Sequence, residues 1–556
     1  MKYPEIFNPD LSQVGRSSQA YNILASTLMA DMIKTSLGPR GMEKMYIDIL
    51  GEETVTKQGG AYLRKIDVDH PAAKAVIDAV NTVDNHVGDG TISTAVMMGA
   101  LLGQARSMLD LGFPTAVITR GFEVASVYAQ EALEEIKIRA ETSQDVMRRL
   151  AASCLNGKAL YAAQDDGRIV DMLVDAVCHT TDFEGMKART DDIKIEEKAG
   201  DPADTRLVMG TVIDKPVDSP EMPRRVEGVR ILLLNDELEA TRTKTESEIE
   251  ITSPKQMGSF INRQKADTLE IVRRVVESGA GLVISRKGID ELAQELLARS
   301  GIMSVRRVKY NDIWWLQKAT KASTCRSVQD IDCSELGYAV RVYEETVAGD
   351  RMLFVESDQP ESVTILLRAR TKRYLDEFHR NALNVIYMLR SFLQHPFVVY
   401  GGGSCEAIVS EKVREQALHL EGRGQVVASR FADALDEVPM TLARNLGMDP
   451  LDTLAELRSK VATSGDVWWG INSKTRRLDD LSGVVTEPLA VKRQALLTAV
   501  EAVNMILNVD DVFMKDLIDN THCHIDGTVH AHKDPGRNHN HWEQEGLEQR
   551  QMHHHY

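Results

Sequence analysis

The sequence predicts a multidomain protein in which a helical domain, divided between the two ends of the chain, encloses an α/β insert. Three observations lead there. At 556 residues the chain is too long for one core. Apolar residues recur at three- and four-residue spacing towards both ends. In the middle, apolar runs of strand length alternate with helical segments.

From Ala20 to about Ala140 the pattern is helical, with Ile23, Leu24, Leu28 and Met32 on one face and a second such stretch from Val96 to Leu109. Two glycine turns interrupt it. Residues 142–215 are mixed and lead into Val229–Leu234, a strand ending at Asn235-Asp236. The acidic stretch from Glu237 to Glu250 precedes Ser253-Pro254, a cap and first-turn pair for a helix reaching Glu277. A strand (Gly281–Ser285), a helix (Ile289–Arg299), a strand (Met303–Val305) and a helix (Asn311–Ala319) follow, which predicts a partly parallel sheet. After Val363–Leu367 the pattern is helical again to about Asp519. From Thr521 onward the chain carries nine of its fifteen histidines with little apolar content, and is expected to be a disordered tail without a structural metal site.

Composition excludes several function classes. A net charge of −17 without a basic patch argues against nucleic acid as the partner. No apolar run approaches the ~20 residues of a bilayer span, and Met1-Lys2-Tyr3-Pro4-Glu5 does not open a signal peptide, so no membrane and a cytoplasmic location are expected. Cys154, Cys178, Cys325, Cys333, Cys405 and Cys523 have neither disulfide-framework nor zinc spacing, and read as reduced structural thiols.

Chemistry concentrates at glycine turns. In Gly88-Asp89-Gly90-Thr91, before a helix starting near Ser93, glycines let backbone N–H groups approach phosphate, the helix N-terminus favours anions, and Asp89 is suited to Mg²⁺. Leu37-Gly38-Pro39-Arg40-Gly41 and Gly401-Gly402-Gly403-Ser404 share this character. A capped turn alone would look the same; three such loops in one helical domain are more informative. A Walker loop is absent, which argues against a P-loop ATPase or kinase.

These turns fall within longer stretches: Thr35–Met45, His70–Lys74, Val87–Thr91, Lys287–Gln294, Val305–Lys309, Phe431–Leu435 and Glu487–Lys492. Through them the chain resembles the group II chaperonins, the archaeal thermosome and eukaryotic cytosolic TCP-1 type, from about Ser12 to Asp519. The resemblance implies a mainly α-helical equatorial domain (residues 1–141 and 398–520), an α+β intermediate domain (142–214 and 363–397), and an α/β apical domain with a helical protrusion (215–362). Residues 521–556 are the tail. It further implies a homo- or hetero-oligomeric double ring that binds ATP and Mg²⁺, and clients that are non-native proteins folded inside its chamber. The chamber keeps exposed apolar surface from meeting another unfolded chain.

The resemblance assigns Leu37, Gly38 and Pro39 to the loop beside base and phosphates, and Asp89, Gly90, Thr91, Ile92 and Ser93 to the metal and phosphate loop. Gly402 and Gly403 fall at the sugar, Asp480 is its ribose carboxylate, and Lys158 senses the terminal phosphate. The chain departs from the family at Gln58 and Asn384, where carboxylates are usual, and at Ile92, where a hydroxyl is usual. Arg40 replaces a lysine, Lys321 a glycine, and Ala369-Arg370 a glycine-containing pair. Asn384 cannot serve as the base that an aspartate would be. A subunit that binds nucleotide but hydrolyses it weakly is therefore expected, the alternative being a structural or holdase subunit acting beside active ones. The stretch from Leu238 to Glu250 aligns with the protrusion, and Leu292, Leu296 and Leu297 face either clients or the core.

Overall fold

A computed structural model describes residues 13–14, 16–48, 51, 53–156, 167–183, 185–239, 254–328, 331, 335–464, 468–483, 485–512, 521–523 and 529–531. Helices α1 (Arg16–Lys34), α2 (Gly59–Lys65), α3 (Pro71–Val87), α4 (Thr91–Asp110) and α5 (Thr115–Ile136) come first. On α3 the apolar stripe repeats as Val76, Val80, Val83 and Val87, all buried, whereas α4 is buried over most of its circumference. The chain returns to the same core much later, through α12 (Ser404–Ala417), α13 (Arg423–Leu435) and α16 (Leu489–Leu507). Ile33, Met98 and Phe122 from the first half meet Phe431 and Val503 from the second in one cluster. Between α13 and α16 lie α14 (Glu437–Asn445) and α15 (Pro450–Ser464).

The central part is built on a seven-stranded sheet. Arg225–Leu234, Leu282–Ser285 and Met303–Val305 run parallel, while Gly337–Val347, Asp350–Glu356 and Gly210–Ile213 extend it antiparallel. The parallel strands become apolar runs, Ile231–Leu234 and Leu282–Ile284, where they are fully buried, and α8 (Pro254–Glu277), α9 (Glu291–Arg299) and α10 (Tyr310–Thr320) share that core. A third core gathers α6 (Gln144–Leu155), α7 (Arg168–Thr180) and α11 (Lys372–Gln394) on the parallel strands Ile193–Ala199 and Val363–Ala369. Helix α11 is the connector, touching α3 and α16 of the first core as well as its own.

Several expectations change. The return after Val363 is not purely helical: the strands Phe397–Tyr400, Trp469–Asn472, Arg477–Asp480 and Thr486–Pro488 separate its helices. The hairpins Lys44–Ile47 with Glu53–Thr56, and Gly337–Val347 with Asp350–Glu356, were not anticipated. Ile289 does not begin α9; it forms a parallel bridge with Leu238, and α4 starts at Thr91 rather than Ser93. Leu297 is in the core, with Leu292 and Leu296 half-buried. Lys321 adopts the left-handed conformation, φ 58°, as the C-cap of α10, which is why a glycine suits that position. Neither Ala369 nor Arg370 has a positive φ, so that turn does not require glycine.

Within the histidine-rich tail, expected to lack structure, Thr521–Cys523 pairs antiparallel with Val529–Ala531, both segments containing a β-branched residue. The rest of the tail, most of the predicted protrusion and Cys333 lie outside the described residues. Cys154, Cys178, Cys325 and Cys405 are free thiols. Among the described residues no helix is long and apolar enough to cross a membrane.

Candidate active site

A cavity of about 210 Å³ opens where the three glycine turns converge between α4, α11 and α12. Helix α3 ends at Gly88 with φ 69°, and Gly90, φ 82°, is the N-cap of α4 without a side-chain cap. The first-turn amides of Thr91, Ile92 and Ser93 therefore have no acceptor within their helix, and all three residues line the cavity. Gly403, φ 80°, repeats the device at the start of α12. The Gly401–Gly403 turn is held from behind, with Ile471 N donating to the Gly402 carbonyl at 2.9 Å.

The third turn is fixed by its neighbours. Asn445 Nδ2 donates to the Lys34 and Leu37 carbonyls at 3.0 and 2.9 Å, and Lys57 Nζ to that of Pro39 at 2.8 Å. Gly38 has φ 83°, which favours glycine, and a Cβ there would stand 2.3 Å from Leu442 Cδ1, so that side chain would have to shift. At Gly88 a Cβ would meet the Asn384 carbonyl oxygen at 2.3 Å. That close approach seats α11 directly on the turn before Asp89.

Gln58 and Asn384, 326 residues apart in sequence, are in contact. Gln58 Nε2 donates to Asp84 Oδ1 at 2.8 Å and to Asn384 Oδ1 at 2.9 Å, with both amides buried. The orientation follows from chemistry: the Asp84 carboxylate, paired with Arg64 at 3.1 Å, only accepts, so the Gln58 nitrogen faces it. The second Gln58 N–H then goes to the Asn384 oxygen, occupying one of its two lone pairs.

The cavity brings together Leu37, Gly38, Pro39, Gln58, Asp89, Gly90, Thr91, Ile92, Ser93, Asn384, Gly402 and Gly403. Asp480 does not line it. Register with Trp469 leaves Asp480 exposed, accepting from Ser482 N at 2.8 Å; that bond holds its carboxyl below the usual range. Lys158 lies outside the described residues. The residues that sequence reasoning missed are Lys57, Glu406, Glu487 and Lys492, all on the cavity wall. Glu487 and Lys492 fall inside a stretch whose spacing, an acid before Pro488 and a lysine in the helix turn beyond, was a usable signal. Burial pushes the Glu487 carboxyl upward, with Lys492 pulling the other way. Burial alone would lower the Lys492 ammonium, but Glu406 and Glu487 hold it well above the lysine range.

Asp89 with two helix N-termini, beside the glutamates paired with Lys492, suits a polyanion that brings its own cation. Among the described residues no group of three His, Cys, Asp or Glu side chains could hold a metal unaided. Such a site fits Mg²⁺ bound through one carboxylate and phosphate oxygens, with Asp89 as the protein ligand.

Comparison with known proteins agrees in extent. Residues 29–516 match the TCP-1/cpn60 chaperonin family. The chain is 41% identical over 506 residues to a thermosome subunit of Methanopyrus kandleri, covering 90% of this chain and 92% of that protein. It is 39% identical over 521 residues to a thermosome subunit of Pyrococcus horikoshii, covering 92% and 94%. Against thermosome subunit alpha of Archaeoglobus fulgidus the identity is 40% over 505 residues, covering 90% and 92%.

Proposed function

The chain belongs to the TCP-1/cpn60 chaperonin family, and from that premise we propose that it is a ring subunit that binds ATP with Mg²⁺, assists the folding of non-native proteins, and hydrolyses ATP slowly or not at all. The core built from both chain ends would be the equatorial part, the seven-stranded sheet the client-facing apical part, and α11 with its neighbours the hinge between them.

The amides of Thr91, Ile92 and Ser93 and the dipole of α4 receive phosphate oxygens. Asp89 holds Mg²⁺, which when bound neutralises phosphate charge. The Gly402-Gly403 turn lets the ligand approach the backbone closely, and Glu487, held by Lys492 at 2.7 Å, is a carboxylate on the cavity wall, whereas the exposed Asp480 is absent from it.

The single observation that carries weak hydrolysis is the Gln58–Asn384 hydrogen bond. It pairs two neutral carboxamides where carboxylates are expected, and neither the oxygen nor the nitrogen of Asn384 is basic enough to take a proton from water. The remaining carboxylates are committed: Asp84 to Arg64 and Gln58, Glu406 and Glu487 to Lys492, and Asp89 to the metal.

Steady-state phosphate release, measured beside a thermosome subunit, tests this. The unaltered chain should be slower by about 10²-fold or more, and Gln58→Asp with Asn384→Asp should raise its rate at least about tenfold. Equal turnover by the unaltered chain overturns the reading. Electron micrographs with and without nucleotide test ring formation, and aggregation suppression that ignores ATP would indicate a holdase instead.

A further inference from the structure

The far wall of the cavity holds a cluster whose charges do not cancel. Lys492 Nζ, in the first turn of α16, lies 2.8 Å from Glu406 Oε1 on α12 and 2.7 Å from Glu487 Oε2 on the strand Thr486–Pro488. The strand Thr486–Pro488 and the helix that continues it thus meet the distant α12 at one ammonium. Glu406 and Lys492 side chains are only 8% and 11% exposed, and Glu406 Oε2 is buried without a hydrogen-bond partner. Two carboxylates against one ammonium leave a single net negative charge beside the nucleotide.

Few other charged groups face the cluster. Asp89 acts on Glu487 from across the phosphate loop, and the Cys405 thiol lies behind Glu406, pushed well above its ordinary range by burial. From α5, Glu134 is taken up by Lys137 and Arg493. From α6, the Arg149 guanidinium lies beside Gly483. Lys492 is thus the cation within ion-pair distance of both acids.

We propose that Lys492 is a positioning residue for the nucleotide: it holds Glu406 and Glu487 together and ionised, fixing the spacing of the α12 and α16 walls and keeping the pocket's charge constant across neutral pH. This rests on the cavity being a nucleotide site. Without the ammonium, two buried carboxylates would face each other, and one would take up a proton near neutrality. At low pH such a pocket would carry the same single charge as the intact one. As pH rises and both acids ionise, repulsion would part the walls and oppose an anionic ligand.

The test is Mg–ADP affinity of the assembled protein by titration calorimetry from about pH 6 to about pH 8. The unaltered chain should change less than about twofold. Lys492→Met should lose up to about tenfold per pH unit in the upper part of that range. Lys492→Arg, and Lys492→Met combined with Glu406→Gln, should both restore a level profile, an outcome a merely structural role would not give. A level profile for Lys492→Met overturns the proposal. Should Lys492→Met fail to assemble, the Lys492→Met/Glu406→Gln variant decides alone: a level profile supports the proposal, whereas failure to assemble or a sloping profile overturns it. No binding by the unaltered chain at any pH sinks the nucleotide reading instead.

Discussion

Replacing Gln58 by glutamate changes one buried NH₂ into oxygen without changing shape, and so isolates the bond between α2 and α11. The group replaced donates at 2.8 Å to Asp84 and at 2.9 Å to Asn384. Losing the second bond costs about 1 kcal/mol. Two carboxylates about 3 Å apart repel by roughly 5 kcal/mol at an effective dielectric constant near 20. The introduced carboxyl escapes that by staying protonated, donating to Asp84 as the amide did. Holding a proton at pH 7 on a group that titrates near 4.3 when free costs about 4 kcal/mol, and at pH 5 about 1 kcal/mol.

The folded-state pKa of the introduced group is raised, so its penalty is absent below the free value and grows as pH rises towards the folded one. The total is about 5 kcal/mol at pH 7 and about 2 kcal/mol at pH 5. Hydrogen–deuterium exchange of α2 and the middle of α11 reads this directly. Opening should increase by about 10³-fold or to complete loss of protection at pH 7, and by about 30-fold at pH 5, each corrected for intrinsic rate. A change under threefold at both pH values, or one independent of pH, would refute the bridge.

Gly88→Ala would drive a Cβ into the Asn384 carbonyl from a left-handed position, φ 69°. The cost should be about 2–4 kcal/mol, with nucleotide affinity down at least about tenfold. Lys194, 5% exposed, joins Asp312 at 2.6 Å and Glu196 at 3.2 Å beside the Trp315 ring. Lys194→Met should destabilise by about 3 kcal/mol and lower the urea midpoint followed by tryptophan fluorescence by about 1 M. Lys321→Gly should relieve about 1 kcal/mol of backbone strain at φ 58°, seen as a rise of about 2 °C in the calorimetric transition. No rise would mean the side chain makes compensating contacts.

The helices of both chain ends were legible because apolar residues recur there at helical spacing, and the parallel strands because Ile231–Leu234 and Leu282–Ile284 are continuous apolar runs. The hairpin Gly337–Val347 with Asp350–Glu356 passed unnoticed although its outward Tyr338 and Val340 flank buried Ala339. Those outward residues are apolar, which blurs the period of two that marks a half-buried strand. At the site, glycines and Asp89 were legible from local chemistry. The choice between Asp480 and Glu487 was not, since it depends on the pairing of Trp469–Asn472 with Arg477–Asp480, which turns Asp480 outward. Nor could sequence alone show that Gln58 and Asn384 bond to each other.

The core shared by both chain ends also constrains how the molecule is made. Helices α3, α4 and α5 emerge early in synthesis, yet α16, which packs on all three, is among the last segments translated. Bringing Ile136 and Phe397 together again closes a loop at an entropic cost of about 5 kcal/mol. Until that closure, Met97, which faces Val491 and Leu496 of α16, awaits its partners and offers a sticky surface to other nascent chains. A protein whose family guards others against aggregation is itself exposed to that hazard for nearly the whole of its own translation.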